Sequence, residues 1–333
     1  MTTDIQTWVN VAALAGGGIA IGLGAVGAAI GEGYTAAQAN AAISRVQSYS
    51  SVSLKSNVTG DIFKSMLVGQ AIAESASIFA LVIAMILLFT KFTAESYITV
   101  AAVIAAGLSM GFGAIGSGIG SGFPAGAACR GMAHQPEMHG RLTTNMLIGS
   151  AVCQTPSIFA LVISFILLFT DFSGRSLSPT WAAVLGAGMA AGLSAIGSGI
   201  GGGVVAEKSC DGIARQPSAA TMVTNVMLLG QAITQTPAIL GLLVSFILIF
   251  KRYPASEAVA PGMALLGAGL CMGIGAIGPG IGEGVASSGG VKWIARNEEH
   301  TGDIMRTMLV GMAVAESTAI YSLVIALMLI FVF

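Results

Sequence analysis

Charge is scarce in this chain. Only 9% of its 333 residues are Asp, Glu, Lys or Arg, where soluble domains carry about 25%. That scarcity, with 55% apolar residues and a mean hydropathy of +0.86, excludes an ordinary water-soluble fold. The net charge is −1, and no basic stripe interleaved with aromatics occurs, which argues against nucleic acid as a partner. The opening MTTDIQTWVN lacks the basic stretch of a cleavable signal peptide, so insertion is expected to be directed by the first membrane helix. Cysteine is limited to Cys129, Cys153, Cys210 and Cys271. They stand singly without metal-ligand spacing and read as inert apolar thiols. His134, His139 and His300 fall in polar connections and read as solvated loop residues. Asn57-Val58-Thr59 matches a glycosylation acceptor, a triplet too common to carry weight. No nucleophile–base set or metal site supports an enzymatic reading.

What the chain has is continuous apolar runs. Eight are long enough to cross about 30 Å of hydrocarbon, near 8–36, 63–90, 98–129, 142–170, 180–210, 221–250, 259–290 and 304–333. They do not alternate, so the expectation is an all-α membrane protein rather than a barrel. The eight pair into four tandem hairpins, 1–95, 96–175, 176–255 and 256–333. The second helices repeat one pattern: MLVGQAIAESASIFALVIAMILLF, MLIGSAVCQTPSIFALVISFILLF, MLLGQAITQTPAILGLLVSFILIF and MLVGMAVAESTAIYSLVIALMLIF. One position changes meaningfully, from Glu74 to Gln154 to Gln235 to Glu316, in steps of 80, 81 and 81 residues. A carboxylate in mid-membrane is costly and by default functional. Two copies keep it and two carry the neutral near-isostere.

The first helices are glycine-rich: GLGAVGAAIGEG, GFGAIGSGIGSG, GLSAIGSGIGGG and GIGAIGPGIGEG. Three contain GxGxxG, at Gly22/Gly24/Gly27, Gly111/Gly113/Gly116 and Gly273/Gly275/Gly278. The strand, βαβ unit and acidic residue that nucleotide binding requires are missing. Small residues on several faces instead let membrane helices pack backbone to backbone, and a closed ring of such helices meets that demand. The position matching the second-helix carboxylate changes in step with it: Glu32, Ser121, Gly202, Glu283. First- and second-helix positions lie 33 residues apart in hairpins 2–4 and 42 apart in hairpin 1, which predicts about nine extra loop residues in or near SRVQSYSSVSLKSNV. A spacing of 33 fits two legs of about 14 residues, about 21 Å each, so both positions meet at one depth.

Ten Lys and Arg fall within hairpin connections (Arg45, Lys55, Lys64, Arg130, Arg141, Lys208, Arg215, Lys292, Arg296, Arg306). Four fall between hairpins (Lys91, Arg175, Lys251, Arg252). This predicts cytoplasmic hairpin turns with both termini opposite.

These features together resemble the rotor-ring proteolipid of rotary ATP synthases and ATPases, as four fused hairpins. The family's Arg-Gln-Pro turn is kept at Arg215-Gln216-Pro217, partly at His134-Gln135-Pro136, as Ala295-Arg296-Asn297 in hairpin 4, and lost in hairpin 1. That turn favours the F-type branch, although fused hairpins are more familiar in the V/A-type. The resemblance implies a concentric two-layer ring that carries an ion past a stator protein bearing an arginine, with central-stalk proteins at the cytoplasmic loops, lipid around the ring, and no cofactor. In Na⁺-using members the ligands are the second-helix Glu, a first-helix Gln or Glu, the hydroxyl after the second-helix Glu, and a carbonyl two residues before it. The last two come from a neighbouring hairpin, and a Tyr five residues on orients the Glu. Carried over, these are Glu316, Glu283, Ser317, the Val314 carbonyl and Tyr321, and Glu74, Glu32, Ser75 and the Ile72 carbonyl, with Phe79 in place of the Tyr. Hard oxygen donors suit an alkali cation. The serine after each Glu favours Na⁺ over H⁺; the alternatives are a proton-driven or V/A-type ring, or a structural proteolipid without transport. Hairpins 2 and 3 have lost both carboxylates but keep Thr155 and Thr236, and gain Pro156 and Pro237. A proline has no N–H and frees the carbonyl four residues back, here Val152 and Ile233. Those hairpins are expected either to lend an acceptor to an adjacent site or merely to kink.

Overall fold

A computed structural model describes residues 4–49, 52–92 and 96–332. Residues 1–3 of the opening segment, 50 and 51 of the first turn, 93–95 and 333 lie outside the described residues. The described chain is all-helical, with eight helical spans long and apolar enough to cross a membrane. Each is apolar around most of its circumference, as a helix buried between lipid and protein requires.

Ten α-helices make up the spans: α1 (Ile5–Tyr49), α2 (Val52–Phe89), α3 (Tyr97–His134), α4 (His139–Phe169), α5 (Leu177–Arg215), α6 (Ala220–Thr234), α7 (Thr236–Phe250), α8 (Val259–Gly275), α9 (Ile277–Ile294) and α10 (Thr301–Phe331). Two spans expected as single helices are each interrupted once. The α6–α7 span breaks at Gln235 and the α8–α9 span at Ala276. The cause is a proline shortly after each break, Pro237 and Pro279, which removes an N–H from the helical ladder and crowds the preceding turn. The chain stays helical through Pro124 and Pro156.

The expected extra loop of hairpin 1 is instead mostly helix. Helix α1 runs on to Tyr49 and α2 already begins at Val52. The polar stretch continues both helices past the level where the other hairpins turn, because it contains no proline or glycine to stop them.

The helices form two layers. The glycine-rich α1, α3, α5 and α8–α9 stand side by side in that order, and α2, α4, α6–α7 and α10 form a second row. Each second-row helix packs against its own first-row partner and the next: α2 on α1 and α3, α4 on α3 and α5, α6–α7 on α5 and α8–α9. Helix α10, last in the row, rests on α8 and α9 and touches α7. The close first-row approach depends on glycine. A Cβ at Gly120 would overlap the Gly199 backbone, and one at Gly201 the Gly280 backbone.

Arg130 and Lys208, expected as turn cations, belong to a partly buried ion cluster that ties hairpins 1, 2 and 3. Arg130 donates to Glu207 at 2.8 Å, to Asp211 at 3.2 Å and to the Tyr34 hydroxyl at 3.1 Å. Tyr34 in turn donates to Glu207 at 2.8 Å. Lys208 completes it with Glu207 and Asp211 at 3.4 and 3.5 Å.

Candidate functional site

The mid-membrane positions of both layers meet at one level. Gly31, beside Glu32, lies against Ala73, beside Glu74; Gly282, beside Glu283, lies against Ala315, beside Glu316. The four hairpins then differ in what fills this level.

In hairpin 2 the Gln154 amide is buried and fully engaged. Its Nε2 donates to Ser121 Oγ at 2.7 Å and to the Ile72 carbonyl at 3.0 Å, with Ser117 O at 3.5 Å. Ser121 also donates to Ser117 O at 2.8 Å. Ile72 belongs to the preceding hairpin, so this level is shared between neighbours. The –NH₂ group sits among oxygens as a tethered, permanently neutral donor. The same register recurs one step on, where Gln235 Nε2 points to the Val152 carbonyl of hairpin 2 at 3.4 Å. Gly202 supplies no side chain there, and Gln231 takes up the first-row backbone, donating to Gly202 O at 3.0 Å and to Gly149 O at 2.9 Å.

Hairpin 4 is different. Glu283 is 0% exposed, and neither of its carboxylate oxygens has a hydrogen-bond partner among the described residues. Burying an ionised carboxylate without compensation is prohibitive, so this group needs a proton, a cation or both. Glu316 is half-buried beside it on α10. In hairpin 1, which has no preceding hairpin within the chain, Glu32 is half-buried and Glu74 exposed. Gln70 holds the Glu32 backbone, donating to its carbonyl at 3.2 Å.

The hydroxyls lie beside the carbonyls named with them. Ser75 donates to Ile72 O at 2.6 Å and Ser317 to Val314 O at 2.7 Å, clustering two oxygens on each helix. Thr155 and Thr236 are half-buried. Tyr321 is 66% exposed and makes no hydrogen bond among the described residues. Its counterpart Phe79 packs in a cluster to which Leu161 and Phe165 of the next hairpin contribute. Gln70, Ser150 and Gln231 went unremarked in the sequence. They share one repeat position, each four residues before the mid-segment residue, and each donates to the carbonyl of its own hairpin's first-row site residue. Met312 occupies that position in hairpin 4 and cannot.

No cluster of three His, Cys, Asp or Glu residues suited to a metal occurs among the described residues. Cys129, Cys153 and Cys210 are buried and Cys271 half-buried, all as free thiols. Around the two glutamates of hairpin 4 the side-chain and backbone groups named above, Glu283, Glu316, Ser317 and the Val314 carbonyl, present oxygens.

The family model for the ATP synthase C subunit matches the chain four times, over residues 15–87, 104–167, 185–248 and 266–329. Two relatives, both named as the c subunit of ATP synthase, match about one hairpin. The one from Alkaliphilus oremlandii is 59% identical over 66 residues, 20% of this chain and 74% of the relative. The one from Thermotoga maritima is 55% identical over 78 residues, 22% of this chain and 92% of the relative. A longer relative, the K subunit of the A-type ATP synthase of Methanocaldococcus jannaschii, is 29% identical over 229 residues, 68% of this chain and 94% of the relative.

Proposed function

Because the chain belongs to the ATP synthase C-subunit family, we propose that copies of it close into a rotor ring in which Glu74 and Glu316 carry Na⁺ past a stator protein. Ion flow through that ring is coupled to rotation and so to ATP synthesis or hydrolysis. The chain is an integral, multi-pass membrane component that translocates ions; the catalyst is elsewhere in the complex. The stator supplies an arginine, central-stalk proteins sit on the hairpin turns, and lipid surrounds the second row. The turns face the cytoplasm, where ten of the fourteen Lys and Arg lie.

Closure is supported by glycines that lack a neighbour. Gly107, Gly111 and Gly122 of α3 press against the backbone or side chains of α1. Their α1 counterparts, Gly18, Gly22 and Gly33, face open space. On the opposite edge Gly278 is likewise open, while its counterparts Gly27, Gly116 and Gly197 press on the next first-row helix. A second copy, setting its α1 against α9, would fill both edges with the packing already repeated inside the chain.

The observation that carries the ion reading is the buried, unpartnered Glu283 beside Glu316. A pair of carboxylates at one depth must have its charge neutralised before it can face lipid. One proton and one Na⁺ make it neutral, the state that passes through lipid. A proton alone needs no string of oxygens, yet a serine follows each glutamate. Dicyclohexylcarbodiimide is expected to modify Glu74 and Glu316 in the assembled ring, and Na⁺ to slow that labelling. Labelling indifferent to Na⁺ but accelerated by acid identifies the ion as H⁺. No labelling at either glutamate leaves a structural proteolipid.

A further inference from the structure

We infer that the residue four before each mid-segment position is a positioning residue for the carboxylate pair, acting through the first-row backbone: Gln70 pins Glu32 beside Glu74 by a hydrogen bond, whereas Met312 leaves Glu283 beside Glu316 held by packing alone. This rests on the rotor reading and adds to it a side chain that sets the site without touching the ion.

The role is read from three hairpins that differ in their site residues. Gln70 donates to the Glu32 carbonyl at 3.2 Å, Ser150 to the Ser121 carbonyl at 3.2 Å and Gln231 to the Gly202 carbonyl at 3.0 Å. The first-row residue is in turn a carboxylate, a hydroxyl and a bare glycine. The donor changes between glutamine and serine, yet the bond reaches the same carbonyl. What is held is therefore the backbone of the site. A helical carbonyl already accepts from the N–H four residues on and takes a second donor on its remaining lone pair. The added bond fixes the distance between two helices rather than satisfying an orphan group. Residues four apart lie on one face of a helix, so Gln70 places that fixed point one turn from Glu74.

Close approach makes the bond possible. A glycine precedes each of these positions: Gly69, Gly149, Gly230 and Gly311. A Cβ at Gly69 would overlap Ala125, one at Gly149 Ala206, and one at Gly230 Ser287. Each of those second-row helices is therefore pressed on the first row just where the donor stands. Ser150 and Gln231 are fully buried and Gln70 half-buried, which keeps water from competing for the carbonyl.

Hairpin 4 departs from the pattern. Met312 is buried but has no N–H or O–H to give. Met308, one turn before it, packs against Gly290 of α9. Methionine is flexible and fills a gap without fixing a geometry. The chain therefore carries two pairs of the same residue types, one tied across its layers and one untied.

The test uses the purified assembled ring. Carbodiimide labelling is read separately on the peptides carrying Glu74 and Glu316, and its half-point is measured against Na⁺ and against pH. A neutral hydrogen bond shifts an equilibrium by about fivefold. Gln70→Met, nearly isosteric, is expected to raise the Na⁺ half-point at Glu74 by about fivefold and leave Glu316 unmoved. Met312→Gln should lower the half-point at Glu316 by about the same factor and leave Glu74 unmoved; as a gain in the other hairpin it keeps the test decisive if Gln70→Met fails to assemble. Gln70→Ser, which supplies the donor that hairpin 2 uses, should leave Glu74 near its native half-point. No shift from either exchange, equal shifts at both glutamates from one exchange, or a shift from Gln70→Ser as large as that from Gln70→Met overturns the inference. If Na⁺ protects neither glutamate while the pH half-points move in this residue-by-residue pattern, the positioning role stands and Na⁺ as the carried ion fails.

Discussion

Replacing both Glu74 and Glu316 by glutamine should leave a chain that inserts and assembles but carries no ions. The chain already shows what glutamine does at this level. Gln154 turns its Nε2 toward Ser121 Oγ and Ile72 O, 2.7 and 3.0 Å away, using the amide's own protons where a free cation would otherwise gather oxygens. Such a side chain is neutral at every working pH and has nothing to exchange with a half-channel. Its packing matches that of glutamate, so the layers should be undisturbed. Ion uptake driven by ATP hydrolysis in liposomes should fall by at least about a hundredfold, as expected when a charged group acting in low dielectric is removed. Carbodiimide labelling should vanish with it. Transport that survived the double substitution would mean that the ion rides elsewhere.

The second large effect concerns the gradient such a ring can sustain. In the proposed ring, with two carboxylate sites per four hairpins, half as many ions should cross per turn as in a ring with a glutamate in every hairpin. Moving one ion against 100 mV costs about 2.3 kcal/mol. The same free energy per turn therefore supports about twice the limiting potential, which biases the machine toward pumping. Gln154→Glu should partly undo this. It would set a third carboxylate beside Ser121, with the Ser75 hydroxyl and Ile72 carbonyl of hairpin 1 already turned toward that level. Three sites per chain should raise the ion-to-ATP ratio by about half and lower the limiting potential to about two-thirds. A native ratio equal to that of a fully occupied ring of the same hairpin count would contradict the account.

The features legible in the sequence were those that repeat. Continuous apolar runs disclose spans because bilayer thickness sets their length. The Glu–Gln–Gln–Glu series marks the level where the two layers meet, because a membrane carboxylate is too costly to keep without use. Relations between hairpins were legible only through the resemblance, which gives two ligands to a neighbouring hairpin without saying which one. Spacing could not show that Gln154 and Gln235 each meet a carbonyl of the preceding hairpin, Ile72 and Val152, because that contact depends on one second-row helix packing between two first-row helices. The Tyr34–Arg130–Glu207–Asp211–Lys208 cluster was hidden for the same reason: five polar residues on three helices look like turn charges until the helices stand side by side. Gln231 could have been found, since it shares a repeat position with Gln70. The break at Ala276 also had a signal, Pro279, but Pro124 and Pro156 show that a proline alone does not decide the matter.

If chains join end to end, Glu316 of one copy stands beside Glu74 of the next, and two silent hairpins follow before the next pair. The most direct test of this arrangement is to count the Na⁺ bound at saturation per chain in the purified ring. Two ions per chain are predicted, falling to one in either single glutamine variant; four per chain, or two that persist in the double variant, would contradict it.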